Sequence, residues 1–431
     1  MNASEETDTS LLAREMLGGV RMSSLRRRLV SYCAFVMGAA LGLPGSAAAV
    51  EPKPPVEISG SPGNGVTVKV GDVFSFNARS RIQLRYQINV PPADDQGERD
   101  FQQIVNIGTA RLWFSGHVYR PELTYMIQLA IAGRDYRDGA TSPIFDAYID
   151  WKIHRDFNVR AGQFFVPFDR LRTVREFALQ MADRPVPVGE LTLDRDAGIT
   201  FYSENFLGKE SPVAWRLSAF GGGGTNLSTS REPGALLVGR LELRPLGKID
   251  DDSEGDLERR RKPAVALGGA FAANYNTNRL RSTTGATFLG GTTDYLHAAA
   301  DLVFKWRGFA LQGEYLWKRA DVDRIESTDA DGNARTEYTR SGQGTVFQAS
   351  YVFDPPIEIV ARFSRLYAFG GTDPKLVSEV QSRGQEVGVG LNYYFNKHKM
   401  KLQADWIARM PHDFDVEKAN HAAHLQLDAT F

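Results

Sequence analysis

The sequence predicts an all-β protein, a transmembrane antiparallel β-barrel of about 16 strands. Three observations predict it. The stretch Phe74–Val90, FSFNARSRIQLRYQINV, keeps a period of two for seventeen residues, with Phe74, Phe76, Ile82, Leu84, Tyr86, Ile88 and Val90 on one face. Its other face carries Arg79, Arg81, Arg85 and two glutamines. Strands of soluble domains usually stop at about five or six residues. Segments of the same kind then recur to the last residue, sixteen in one unbroken series. Finally, the connections alternate between short turns and long polar loops, as they do when a barrel crosses a bilayer.

Taken in order, the chain opens with Arg26-Arg27-Arg28, the apolar run Leu29–Leu43 and the small-residue stretch Pro44–Ala49. Basic, apolar, then small is the order of a secretory signal, so residues 1–49 are expected to be removed after Ala49, with Met22 a second candidate start. Residues 50–65 are rich in Pro and Gly and read as a flexible periplasmic lead-in, leaving 66–431 for the barrel. After Phe74–Val90 the expected strands are Gln102–Tyr119, Leu123–Gly133, Phe145–Ile153, Phe157–Phe165, Asp196–Glu204, Pro212–Gly221 and Gly234–Arg244. They continue with Ala264–Tyr275, Asp294–Trp306, Gly308–Arg319, Gly342–Phe353, Ile357–Phe369, Gly384–Phe395, Lys399–Met410 and Asn420–Phe431. Tyr86, Trp113, Tyr119, Trp151, Trp306, Trp317, Tyr393 and Trp406 sit near strand ends, where interfacial aromatic girdles fall. One connection breaks the rule: Leu246–Pro263, with DDDSEGDLERRRK, falls on the short-turn side yet is long and highly charged.

Composition excludes other classes. No apolar run of the mature part approaches the roughly 20 residues of a spanning helix. The single cysteine, Cys33, lies in the leader, so neither disulfides nor thiolate metal sites are expected. Removing residues 1–49 takes five basic and four acidic residues from 51 and 52, leaving 46 against 48 and no basic tail for nucleic acid. No metalloprotease or nucleophile-elbow motif occurs, so no enzyme, cofactor or metal is expected. Asp329–Asn333, DADGN, has its glycine too early for a calcium loop and reads as a solvated tip.

The segment 158–168, NVRAGQFFVPF, with Gly162, Gln163, Phe164, Pro167 and Phe168, resembles the phosphate-selective porins O and P. Ala110–Gly116, Leu391–Trp406 and the terminal strand ending in Phe431 fit the same family. The resemblance implies a sixteen-stranded barrel, usually a homotrimer, in the bacterial outer membrane and in contact with its lipid. It also implies that the third long loop folds into the pore and that small inorganic anions or small polar solutes pass. Two departures remove positive charge: Phe165 stands where the family has lysine, and Gly108-Thr109 where it has two arginines.

The inward loop, Val166–Arg195, carries Arg170, Arg172, Arg175, Arg184 and Arg195 against Asp169, Glu176, Asp183, Glu190 and Asp194, a balanced constriction. Polar-face strand positions, among them Arg79, Arg81, Arg85, Arg111, Arg160, Lys399 and Lys401, give fourteen cations against nine acids. Arg79, Arg81 and Arg85 have no acid among them and are expected to form an unpaired anion track. The expected function is passive diffusion with mild anion preference, phosphate and polyphosphate being candidate solutes. The alternatives are a plugged barrel used for adhesion or structure, and a barrel-borne hydrolase.

Overall fold

The computed structural model describes residues 54–94, 97–136, 142–208, 212–226, 234–249, 253–354 and 356–431. The expected signal peptide, residues 1–49, lies outside the described residues. Val56–Ser61 (β1), inside the expected lead-in, is not a free segment: it pairs antiparallel with Gly65–Val70 (β2), which begins at the end of that lead-in.

Sixteen strands then make the barrel. The first eight are β3 (Phe74–Val90), β4 (Gln102–Val118), β5 (Arg120–Ala130), β6 (Ile144–His154), β7 (Phe157–Phe165), β8 (Arg195–Ser203), β9 (Val213–Phe220) and β10 (Ala235–Leu243). The series goes on with β11 (Ala264–Thr277), β12 (Thr293–Trp306), β13 (Phe309–Ala320), β16 (Gly342–Val352), β17 (Ile357–Ala368), β18 (Gln385–Asn396), β19 (Met400–Met410) and β20 (Asn420–Thr430). The remaining pair, β14 (Arg324–Thr328) and β15 (Ala334–Tyr338), is a separate hairpin inside the sixth long loop. At its tip the amides of Asp331 and Asn333 donate to Asp329 Oδ1 at 3.0 and 2.8 Å, so the DADGN stretch turns on its own aspartate.

Each barrel strand pairs antiparallel with its neighbours, and β20 pairs with β3 to close the ring, Leu427 opposite Leu84 and Thr430 opposite Arg81. Below that point β2 takes the same edge of β3, Val66 opposite Ala78. Phe431 completes the seam: its amide donates to the Ser80 carbonyl at 2.8 Å, and the Ser80 amide donates back at 3.2 Å.

The burial pattern is the reverse of a soluble domain. In β3, Ile82 and Leu84 are 42% and 50% exposed, while Arg81 and Gln83 between them are each 2% exposed. Apolar side chains on the outside and charged ones within suit lipid outside and water inside. A one-residue slip would set three arginines in hydrocarbon, at roughly 2–4 kcal/mol each near the midplane, so lipid fixes the register. Trp151, Trp306, Tyr393 and Trp406 face outward as expected of a girdle. Trp113 does not: it is buried in the lumen, with the Arg79 guanidinium 5.8 Å from its ring, because β4 is in inward phase there.

The lumen is partly filled. Along β10, β13, β16 and β17 the inner face carries Leu236, Val238, Leu316, Val346 and Leu366, and the 166–194 loop covers them with Phe168, Leu171, Val188 and Leu191. The anomalous turn after β10 also folds inward. Ile249 packs on Ala264, Ala266 and Val303, and the buried Glu254 accepts from the Gln180 amide at 2.8 Å and Gln348 Nε2 at 2.9 Å. Loop and turn, entering from opposite ends, therefore meet inside the barrel at Gln180 and Glu254.

Candidate functional site

The site begins where β7 ends. Gly162 has φ +134°, and a Cβ there would meet the Ala147 carbonyl oxygen at 2.2 Å, so only glycine fits this close approach. Beyond it, Phe164 and Phe165 both border the lumen. Phe164 packs edge-on against Tyr148 at 5.7 Å and Phe220 at 5.3 Å, while Phe165 lies 3.5 Å from the Arg195 guanidinium. Simple alternation would turn Phe165 toward lipid, whereas here it lines the lumen. Gln163 Nε2 reaches the carbonyls of Ile144 and Phe145, tying the motif to β6.

The connection then runs inward as residues 166–194, with Arg195 already in β8. Arg170 donates to Glu242 at 2.5 Å and Asp301 at 2.7 Å, and the amides of Arg170 and Leu171 donate to Glu314. At the far side Lys401 Nζ and Gln403 Nε2 bond the Leu179 carbonyl, and Asp405 takes the Ala182 amide at 2.6 Å. The loop is thus bonded to the wall on both sides.

Three cavities follow one another along the loop. On the long-loop side, a cavity of about 290 Å³ is lined by Arg184, Arg281, Arg383 and Arg409 against Glu190 and Glu379. In the middle, a gap of about 20 Å³ is lined by Arg81, Arg111, Arg172, Arg175, Arg184 and Arg195 against Glu176 alone. That gap has room for roughly one water-sized species. On the short-turn side, a cavity of about 300 Å³ holds Arg160, Arg170, Arg175, Arg216 and Arg240 against Asp146, Glu204 and Glu242. Arg184 borders the first and second cavities, and Arg175 the second and third.

Five charges of each sign in the loop do not make a balanced lining, because the loop acids turn to partners. Asp183 meets Arg85 at 2.8 Å, Glu190 meets Lys318 at 3.2 Å and Arg340 at 3.0 Å, Asp194 meets Arg172, and Asp169 takes the Thr192 hydroxyl at 2.9 Å. Arg175 forms no ion pair among the described residues, and Arg184 spends its donors on the carbonyls of Leu171 and Val174. Burial, then Arg172, push the Arg184 guanidinium down to about 10, which leaves it charged at neutral pH. Burial alone would raise the Glu176 carboxyl, but Arg134 and Arg111 outweigh it and hold it below the usual carboxylate range.

The expected unpaired track is corrected. Arg81 Nε donates to Asp428 at 2.7 Å, and Arg85 to Asp183 and Gln426, so among the described residues Arg79 alone of the three has no acid partner. Lys399 leaves the lumen: it belongs to the turn before β19, and its ammonium bonds Asn64 at 2.6 Å in the β1–β2 turn. Arg160 pairs with Asp150 at 2.9 Å, and Arg111 with Asp135 at 2.5 Å. Gly108 lies at a register shift opposite Gln83 and Leu84, and Thr109 bonds Glu176 at 3.0 Å. Arg134, which strand periodicity could not single out, reaches the same carboxylate at 2.8 Å and restores charge beside the missing arginine pair.

A closed antiparallel barrel with an apolar exterior, a charged lumen and an inward loop defines an outer-membrane channel for small solutes. The chain belongs to the phosphate-selective porin O and P family, whose model matches residues 76–431. Its fold is similar to that of the outer membrane channel DcaP of Acinetobacter baumannii, at 14% identity over 83% of this chain and 98% of that one, TM-score 0.51. It is likewise similar to Salmonella typhi OmpF, at 14% identity with the same coverage and TM-score 0.52. No curated protein matches the chain in sequence.

Proposed function

We propose that this channel passes small anions in preference to cations, mildly and without a tight phosphate seat. The middle gap, the smallest of the three cavities, carries the reading: Arg81, Arg111, Arg172 and Arg195 are held by acids, but Arg175 and Arg184 have no ion pair among the described residues, and their charge raises the local anion concentration. Phosphate and polyphosphate remain candidate solutes through the family, although Phe165, Gly108 and Thr109 remove cations that the family pattern supplies. The channel works by diffusion rather than catalysis. It is assembled as a homotrimer, the form the family resemblance implies, after export and cleavage behind Ala49.

Reversal potential in a KCl gradient across a planar bilayer tests this. The unmodified channel should favour chloride, less so as salt rises, because screening shortens from about 10 Å at 0.1 M to about 3 Å at 1 M. Arg175→Gln with Arg184→Gln should bring the potential close to that of a non-selective pore; an unchanged potential would place selectivity elsewhere. The loop and turn inside the lumen favour a second reading, a plugged adhesive or structural barrel, and a purified barrel without conductance would select it.

A further inference from the structure

We propose that the cavity on the periplasmic side of the constriction is a binding site for ring-bearing monocarboxylates, the benzoate class, rather than for inorganic phosphate. The inference rests on the anion-channel reading and names the solute that reading leaves open. The cavity, about 300 Å³, is of the size that encloses a small organic molecule. Its walls include Tyr148, Phe164, Phe165, Pro167 and Val174, an apolar share that a hydrated inorganic ion cannot use.

Its charges reduce to one free cation. Arg160 is held by Asp150, Arg216 by Glu204, Arg240 by Asp301, and Arg170 by Glu242 and Asp301. The three acids of the cavity are engaged as well, Asp146 by Arg195 and the two glutamates by Arg244. Only Arg175 is left without an ion pair among the described residues, its contact being the Met126 sulfur at 3.6 Å.

A phosphate carrying one to two charges needs several donors around it to replace its hydration shell, and one guanidinium does not supply them. A carboxylate accepts two parallel N–H bonds from one guanidinium, and a ring attached to it meets aromatic walls edge-on or offset. Phe165 stands at the family's lysine position, so the departure exchanges a second cation for an aromatic wall.

Current block of the full-length channel in a planar bilayer tests the site, with sodium benzoate, acetate and phosphate as probes. Benzoate should half-block at a concentration about tenfold below acetate, the difference that ring contacts supply, and below phosphate. Phe165→Leu should bring benzoate close to acetate. Arg175→Gln should raise the half-blocking benzoate concentration at least about tenfold, and Arg175→Lys should retain part of the block. Phosphate blocking at lower concentration than benzoate, or benzoate block that survives Arg175→Gln, would overturn the assignment. Loss of chloride preference in KCl alone, with benzoate block intact, would instead sink the anion-preference reading and leave the site standing.

Discussion

Arg81 donates from Nε to Asp428 at 2.7 Å across the seam of the barrel, and both side chains are almost wholly withdrawn from solvent. Gln83 Nε2 donates to the second carboxylate oxygen at 3.0 Å, so the acid is bound on both sides. Removing one partner of such a pair leaves a buried uncompensated charge, at a cost of about 3–5 kcal/mol. Asp428→Ala should therefore lower the temperature at which the folded barrel converts to the unfolded form on a gel, with Asp428→Asn falling between it and the parent. An unchanged conversion temperature would mean that the pair is wetter than its burial indicates. The same pair shows why single residues are hard to read from sequence. No acid lies within β3, so its arginines look free, but the partner stands 347 residues away on the adjacent strand. Phe165 escaped alternation for a local reason, since it is the last residue of β7, where the chain leaves the wall for the inward loop.

At the scale of elements, the turn between β10 and β11 acts as a second inward loop. Glu254 meets Gln180, Gln348 and Gln312, Lys305 Nζ donates to the Ser253 carbonyl at 2.5 Å, and Asp256 accepts from the Gly308 amide at 2.8 Å. Replacing residues 247–260 by a short link should raise single-channel conductance and admit larger solutes. The 166–194 loop would stay in place, because its apolar cluster lies on β10–β17 and not on the turn. Conductance equal to the parent's would show that the turn occupies space the current does not use. Length and charge marked this turn in the sequence, but its inward course was not legible, since its partners are glutamines, a lysine and a backbone amide scattered over several elements. The strands were legible, β3 to the residue, because lipid demands an apolar side chain at every second position. The β1–β2 hairpin carries no such demand, and its Pro and Gly residues hid it.

For the whole molecule, closure governs stability. A ring of sixteen strands leaves no edge from which to unravel, so folded protein should migrate apart from the boiled form on a gel. Deleting Phe431 removes both of its backbone bonds to Ser80, and membrane fractions should then contain less of the heat-modifiable form. Equal amounts would show that the seam closes without its last residue.

That seam also has a consequence for timing. The strand that begins the ring, β3, finds its closing partner only in β20, the last stretch of the barrel to emerge from any machinery that delivers the chain in order. Until then a growing sheet carries two open edges and a greasy outer face, a combination prone to aggregate in water. The chain therefore cannot complete its fold while it is being delivered. It must be kept from itself, unpaired and soluble, until both ends of the ring are present where lipid can receive them.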